Sequence, residues 1–242
     1  MNPFHSIKAI LFDFGGTLDT DGVHWSEKFW EAYQAAGVPI KKTEYEKAFV
    51  DAGDHLVSAR ILPHYNFKET LATQIELQLQ FLEIHFGLPS VYHNHYKEVI
   101  LTYAYEEASK TLDKTKQILE RLSQHLLLGV VSNFYGNMET VLDEFGILKY
   151  LQVVIDSAKV GIRKPDPAIF RLATEHLGIA PQNTLMVGDS FDRDIIPAKQ
   201  CGCITVWLEG KSWKDEVGGK EADYIIHSLS ELETLIYNTK LF

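Results

Sequence analysis

The chain has 242 residues, 45% of them hydrophobic, enough to bury one large core or two modest ones. A formal net charge of -10 opposes a nucleic-acid partner, because the phosphates would be repelled along most of the surface. No apolar run reaches the roughly 20 residues that cross a bilayer, and the opening Met-Asn-Pro-Phe-His-Ser lacks the charged-then-apolar pattern of a secretion signal.

In chain order, Ile7 to Phe14 is a short apolar run stopped by Gly15-Gly16, the pattern of a buried strand that ends at a turn. From about His24 to Ser109 the pattern is helical. Stretches over Trp25–Ala36, Thr43–Arg60, Lys68–Phe86 and Tyr92–Ala108 are punctuated by Gly37, Pro39, Pro63, Gly87 and Pro89. Asp113 is expected to cap a helix carrying Ile118, Leu119 and Leu122. Strands are then expected at Leu126–Val131, Val153–Ile155, Thr184–Val187, Ile204–Leu208 and Tyr224–Ile226. Helices lie between them, one ending before Gly146 and one near Gly178. The only cysteines, Cys201 and Cys203, are too close for an ordinary disulfide and flank a strand start. A reducing, cytoplasmic setting is expected. Gly210–Lys220 is expected to be a mobile surface loop.

Strands alternating with helices imply an α/β fold, a Rossmann-like, doubly wound parallel sheet covered on both faces. The long helical stretch interrupts that alternation. The expected organisation is a core of residues 1–22 and 110–242, with an all-helical domain of residues 23–109 inserted after the first strand.

Ligands of such sheets bind beyond the carboxyl ends of the strands. Those ends carry Asp13, then Phe14-Gly15-Gly16-Thr17; Ser132-Asn133; and Gly188-Asp189-Ser190 followed by Asp192 and Asp194. Gly161-Ile162-Arg163-Lys164-Pro165-Asp166 precedes a helix beside them. Carboxylates gathered in one cleft repel unless they are protonated or neutralised. A hard, oxygen-loving cation such as Mg²⁺ suits them, since it takes carboxylates, waters and substrate phosphate. Lys164, a hydroxyl and the N–H groups of the glycine turn could hold phosphoryl oxygens, and a carboxylate facing phosphorus can attack it.

These residues resemble the haloacid dehalogenase-like (HAD) hydrolase superfamily. Phe12-Asp13-Phe14-Gly15-Gly16-Thr17-Leu18 is similar to its first motif and Ser132-Asn133 to its second. Lys164 in Arg163-Lys164-Pro165-Asp166-Pro167 is similar to the third, and Gly188-Asp189-Ser190 through Asp194 to the fourth. The helical insertion is similar to the C1-type cap that closes over the active site. The resemblance implies a Mg²⁺-dependent phosphatase of a small phosphorylated metabolite, monomeric or homodimeric. It implies Asp13 as nucleophile, with Lys164 and Ser132 as its catalytic companions. Gly16, Thr17, Ser132, Asn133 and Lys164 are expected around the phosphoryl group, Thr17 as a structural hydrogen-bonding partner near Asp13, and Asp13, Asp189, Asp194 and the Gly15 carbonyl around the metal.

Gly15 stands where the family's phosphatases usually carry a second aspartate, which protonates the leaving group and later activates water. General acid–base catalysis contributes about 10²–10⁴-fold in rate, so the gap matters. Asp19, Asp21 and His24 lie just after the motif and could substitute, although linker polarity is their commoner role. A C–P hydrolase resembling phosphonoacetaldehyde hydrolases would need a cap lysine, with Lys28, Lys47 and Lys68 as candidates. A C–halogen hydrolase would need no metal, which Asp189 and Asp194 argue against. A non-catalytic phospho-ligand binder would have little need of Asp13. Trp25, Phe29 and Trp30 are expected to pack rather than stack on substrate, and His93 and His95 point to different helix faces.

Overall fold

A computed structural model of the chain describes residues 6–56, 61, 63–212 and 221–238. The opening residues 1–5, the C-terminal end of the helix expected over Thr43–Arg60 and most of the loop expected over Gly210–Lys220 lie outside them.

The chain enters on β1 (Ala9–Phe12), whose four residues are all buried. It then makes a wide helical turn over Phe14–Leu18. Among the described residues, four α-helices follow before the next strand: α1 (Trp25–Ala35), α2 (Lys42–Leu56), α3 (Phe67–Phe86) and α4 (His93–Leu122). The remainder alternates through β2 (Leu127–Ser132), α5 (Met138–Glu144), β3 (Val153–Asp156), α6 (Ser157–Val160) and α7 (Ala168–Leu177). It ends with β4 (Thr184–Gly188), α8 (Ile196–Cys201), β5 (Ile204–Leu208), β6 (Tyr224–Ile226) and α9 (Ser230–Asn238).

The six strands form one sheet in the order β3-β2-β1-β4-β5-β6, parallel throughout. Alternation along each strand divides the core. Ile10, Phe12, Leu128, Val130, Leu185 and Val187 face one layer, whereas Leu11, Val131 and Met186 pack with Ile169, Phe170 and Ala173 of α7 on the other. The chain leaves β1 toward β2 on one side and returns to β4 on the other. The switch of direction therefore lies between β1 and β4, where a crevice opens beyond the strand ends.

Three of the helical insertion's starts and stops are legible in its chemistry. His24 caps α1 by accepting the Ser26 N–H, Asn66 and Glu69 form a reciprocal capping box at α3, and Gly87 ends α3 in the left-handed region. The expected cap at Asp113 is a correction. Asp113 lies inside α4, which runs unbroken for 30 residues. The buried stripe Ile100, Ala104, Ala108, Leu112, Thr115, Ile118 and Leu122 continues at helical spacing through that point, so nothing ends the helix there. One helix thus spans residue 109, and its last turn is tied to α9 by a bidentate Arg121–Glu233 pair.

Candidate active site

β1 ends at Phe12 and presents Asp13, whose N–H donates to Val187 O at 3.0 Å on the neighbouring strand. Asp13 Oδ1 accepts the Phe14 N–H at 2.7 Å, which fixes the carboxylate over the strand ends. Lys164 arrives from the loop before α7. Its ammonium lies 2.8 Å from Asp13 Oδ1 and 2.6 Å from Asp194 Oδ1, with all three residues buried. Burial alone would lower the Lys164 pKa, but the charges of Asp13 and Asp194 outweigh it and lift the ammonium above its ordinary value.

Asp189 follows β4 and completes a carboxylate trio. Asp13, Asp189 and Asp194 each offer an oxygen, and these lie within 4.8 Å of one another. Burial, then the charges of Asp13 and Asp194, push Asp189 well above the usual carboxylate range; burial lifts Asp194 to about 6 despite Lys164. One lysine does not balance three such carboxylates, and an all-oxygen donor set of this kind fits a hard divalent cation such as Mg²⁺. Two glycines make the convergence possible. A Cβ on Gly188 would meet Asp194 at 2.5 Å, and one on Gly16, whose φ is +93°, would meet the Asp189 carboxylate at 2.3 Å.

The structure redistributes several expected roles. Thr17 is fully buried. Its hydroxyl donates to Asp189 Oδ1 and accepts the Asp189 N–H, both at 3.1 Å, and so holds Asp189 in place. The Gly16 N–H, expected in the anion cradle, donates to Asp19 Oδ1 at 2.8 Å. Asn133 clamps the lysine loop. Its Oδ1 accepts the Lys164 N–H at 2.9 Å and its Nδ2 donates to Lys164 O at 3.0 Å. Ser132, the last residue of β2, lies on the cavity wall with Asn133 and Gly15.

A cavity of about 160 Å³ opens above these residues. Its far wall comes from the helical insertion: Phe49 of α2 and Phe67, Thr70, Leu71 and Gln74 of α3. Trp25 lines it too. It packs on Phe29 and Phe67 as expected, and its indole N–H also reaches into the site and donates to Asp19 Oδ2 at 2.7 Å. Asp19 is therefore a wall residue of the site, against its expected part as linker polarity. His24 and Arg193 lie on the same lining, 3.3 Å apart. Asp21 is elsewhere, accepting from Ser228 Oγ and the Leu229 N–H at the start of α9. Lys28 pairs with Glu31, and Lys47 and Lys68 lie over the rings of Phe86 and Tyr105. None of the three is on the cavity lining. His93 faces Glu83 rather than His95.

Asp19 and Trp25 leave little signal in the sequence. A carboxylate six positions after the nucleophile carries no periodic signal, and an aromatic at the head of an amphipathic helix reads as packing. The available clue was the polar-aromatic density of Asp19 to Trp25 directly after the glycine turn.

The profile of the haloacid dehalogenase-like hydrolases matches residues 7–202. A glyceraldehyde 3-phosphate phosphatase of Methanocaldococcus jannaschii is 29% identical over 97% of this chain and 99% of its own length. The phosphoglycolate phosphatase of Escherichia coli K12 is 28% identical over 96% and 93%. Among solved structures, a dehalogenase shares the fold with a TM-score of 0.66 at 18% identity over 95% of this chain and 97% of its own. A HAD phosphatase from Thermococcus onnurineus does so with a TM-score of 0.53 at 24% identity over 96% and 98%. With four motifs converging at one cavity and a profile match across most of its length, the chain belongs to the haloacid dehalogenase-like hydrolases.

Proposed function

We propose that the protein is a Mg²⁺-dependent phosphatase of small phosphorylated metabolites that works through an aspartyl-phosphate on Asp13. The observation that carries this reading is the placement of Asp13 on the floor of the cavity, one oxygen held by Lys164 and the carboxylate within the trio with Asp189 and Asp194. An oxygen of Asp13 attacks phosphorus, and Lys164 offsets the charge gathering between nucleophile and phosphoryl group. Ser132 binds a phosphoryl oxygen from the β2 end. Asn133 keeps Lys164 in place by holding both polar groups of its backbone. Bound by Asp13, Asp189 and Asp194, Mg²⁺ would supply charge neutralisation for the phosphoryl oxygens. Residues 23–109 act as the cap over this core, and the aromatic wall from α2 and α3 excludes water from the closed site.

Relatives named as phosphatases of glyceraldehyde 3-phosphate and phosphoglycolate support a small phosphoester as substrate. The carboxylate trio favours this reading over metal-free C–halogen chemistry. The position of Lys28, Lys47 and Lys68 away from the cavity favours it over a Schiff-base mechanism. The test is hydrolysis of p-nitrophenyl phosphate and a panel of small phosphoesters with Mg²⁺ and with chelator. Turnover that needs the metal and Asp13 is expected. Absence of turnover on every phosphoester, or faster hydrolysis of phosphoproteins than of any small ester, would overturn the reading.

A further inference from the structure

The site as built has a nucleophile, a cation and an anion-binding wall, but position 15 has no side chain to move a proton. An added Cβ there would lie 3.6 Å from Trp25 Cδ1 and 3.8 Å from Trp25 Nε1, in ordinary contact. The same indole nitrogen lies 2.7 Å from Asp19 Oδ2. The space flanking Gly15 is thus bordered by a second carboxylate, brought in from the far end of the same turn.

Asp19 has the surroundings that a proton carrier needs. As a carboxylate it accepts two N–H groups, Gly16 on Oδ1 at 2.8 Å and Trp25 on Oδ2 at 2.7 Å. As a neutral acid it also has a partner. The single hydrogen of Thr20 Oγ1 goes to Val23 O at 2.6 Å. Thr20 Oγ1 also lies 3.3 Å from Asp19 Oδ1, a contact it makes as donor to the carboxylate and can make as acceptor from the acid form while its hydrogen stays on Val23 O. None of these partners is a candidate metal ligand. The charged and titratable groups facing Asp19 across the cavity are Asp13, Asp189, Lys164, His24, Tyr135 and Arg193. Burial, with the charge of Asp13 adding to it against these hydrogen bonds, raises Asp19 from 3.8 to about 7, close to where a general acid and base at neutral pH is most effective.

We propose that Asp19 protonates the leaving oxygen and then activates the hydrolytic water, taking the role that Gly15 cannot fill. In the first step Asp13 forms a bond to phosphorus while the ester P–O bond breaks. Its electron pair goes to the leaving oxygen, which takes the proton of Asp19 and departs as an alcohol. In the second step the Asp19 carboxylate takes a proton from water as the water oxygen bonds to phosphorus. The P–O bond to Asp13 breaks, its electron pair returns to the Asp13 carboxylate, phosphate leaves and Asp19 is again protonated. The incoming ester oxygen or water displaces the indole N–H of Trp25 from Oδ2. Trp25 is partly exposed on the cavity side and is the first residue of α1, so its displacement is coupled to the seating of substrate under the helical insertion.

This assignment rests on the phosphatase reading, and the experiment separates the two. Wild type, Asp19→Asn and Asp13→Asn are compared with Mg²⁺ on p-nitrophenyl phosphate, whose leaving group needs no proton, and on glycerol phosphate, whose leaving group does. Rapid-quench kinetics measures phosphoenzyme formation and breakdown separately. Asp19→Asn is expected to lower turnover of glycerol phosphate by about 10²–10⁴-fold. Phosphoenzyme formation from p-nitrophenyl phosphate should be nearly unchanged, with the adduct accumulating because its hydrolysis is slowed. Equal losses on both substrates without accumulation, or full glycerol phosphate turnover in Asp19→Asn, would overturn the assignment and leave the phosphatase reading intact. Activity that survives Asp13→Asn would instead remove the phosphatase reading itself. Should Asp19→Asn fail to fold, a series of wild-type rates over phosphoesters of increasingly basic leaving groups decides. A shallow dependence is expected of a protonated leaving group, and a steep one would contradict it.

Discussion

The floor and the entrance of the cavity are built in different ways. On the floor, each chemical group is fixed by the ends of the sheet and by partners that leave it little freedom. Asp13 is held by the Phe14 N–H and Lys164, Asp189 by Thr17, Asp194 by Lys164 and the Ser190 N–H, and Lys164 by Asn133 through its backbone. At the entrance, the groups come from a loop and from helices of the insertion: Asp19, Trp25, Phe49 and Gln74. The floor supplies what any phosphoryl transfer needs. The entrance decides which leaving group is served and how it receives its proton.

Changes to the floor should therefore dominate. Asp13→Asn is expected to remove turnover on every substrate, by on the order of 10⁴-fold or more, while leaving the fold intact. A loss confined to one substrate would place Asp13 at the entrance in function and break the distinction. Lys164→Met leaves Asp13 and Asp194 facing each other without the buried cation between them. It should cost about 3–5 kcal/mol in urea unfolding without added metal, and much of that should return on adding Mg²⁺.

The next effect is smaller and belongs to the entrance. In the folded chain the Asp19 carboxyl is raised from 3.8 to about 7. Between those values the folded chain holds a proton that the unfolded chain has lost, so stability falls as pH rises through that window. Asp19→Asn removes this dependence. Its stability relative to wild type should improve by on the order of 2–3 kcal/mol between pH 5 and pH 8, read from urea unfolding at the two pH values without metal. A gap that does not change with pH would mean that Asp19 is ionised throughout. The smallest expected change is at the far wall. Gln74→Ala should raise KM about fivefold for substrates with a polar leaving group, the worth of one hydrogen bond, and leave phosphoenzyme formation from p-nitrophenyl phosphate unaltered.

The same division governs what could be read from the amino-acid order. Each strand sits within a residue or two of its apolar run, because a strand buried on both faces must be apolar along its whole length and must stop where the chain turns. Asp13, Asp189 and Asp194 closely follow those stops, so the sheet brings them together, and Lys164 joins them from the loop before α7, where Asn133 holds its backbone. Thr17 and Gly16 are legible as important, but their partners are not. Sequence places them beside the phosphoryl site, but only the curl of the turn directs the Thr17 hydroxyl to Asp189 and the Gly16 N–H to Asp19. The unbroken α4 escaped because Asp113 has the chemistry of a cap, and continuity of a buried stripe outweighs one residue's capping preference. Asp19 escaped because its significance comes from burial and from the indole of Trp25, neither of which leaves a pattern in the sequence.

Trapping of the phosphoenzyme tests the role of Asp13 most directly. Wild type and Asp19→Asn are mixed with p-nitrophenyl phosphate and Mg²⁺, quenched in acid within one turnover, and mapped by peptide mass spectrometry with hydroxylamine as the probe for an acyl phosphate. A hydroxylamine-labile phosphate on Asp13, formed at the rate of nitrophenol release and longer-lived in Asp19→Asn, is the expected result. Nitrophenol release with no phosphate on Asp13 at any time in the first turnover would contradict it.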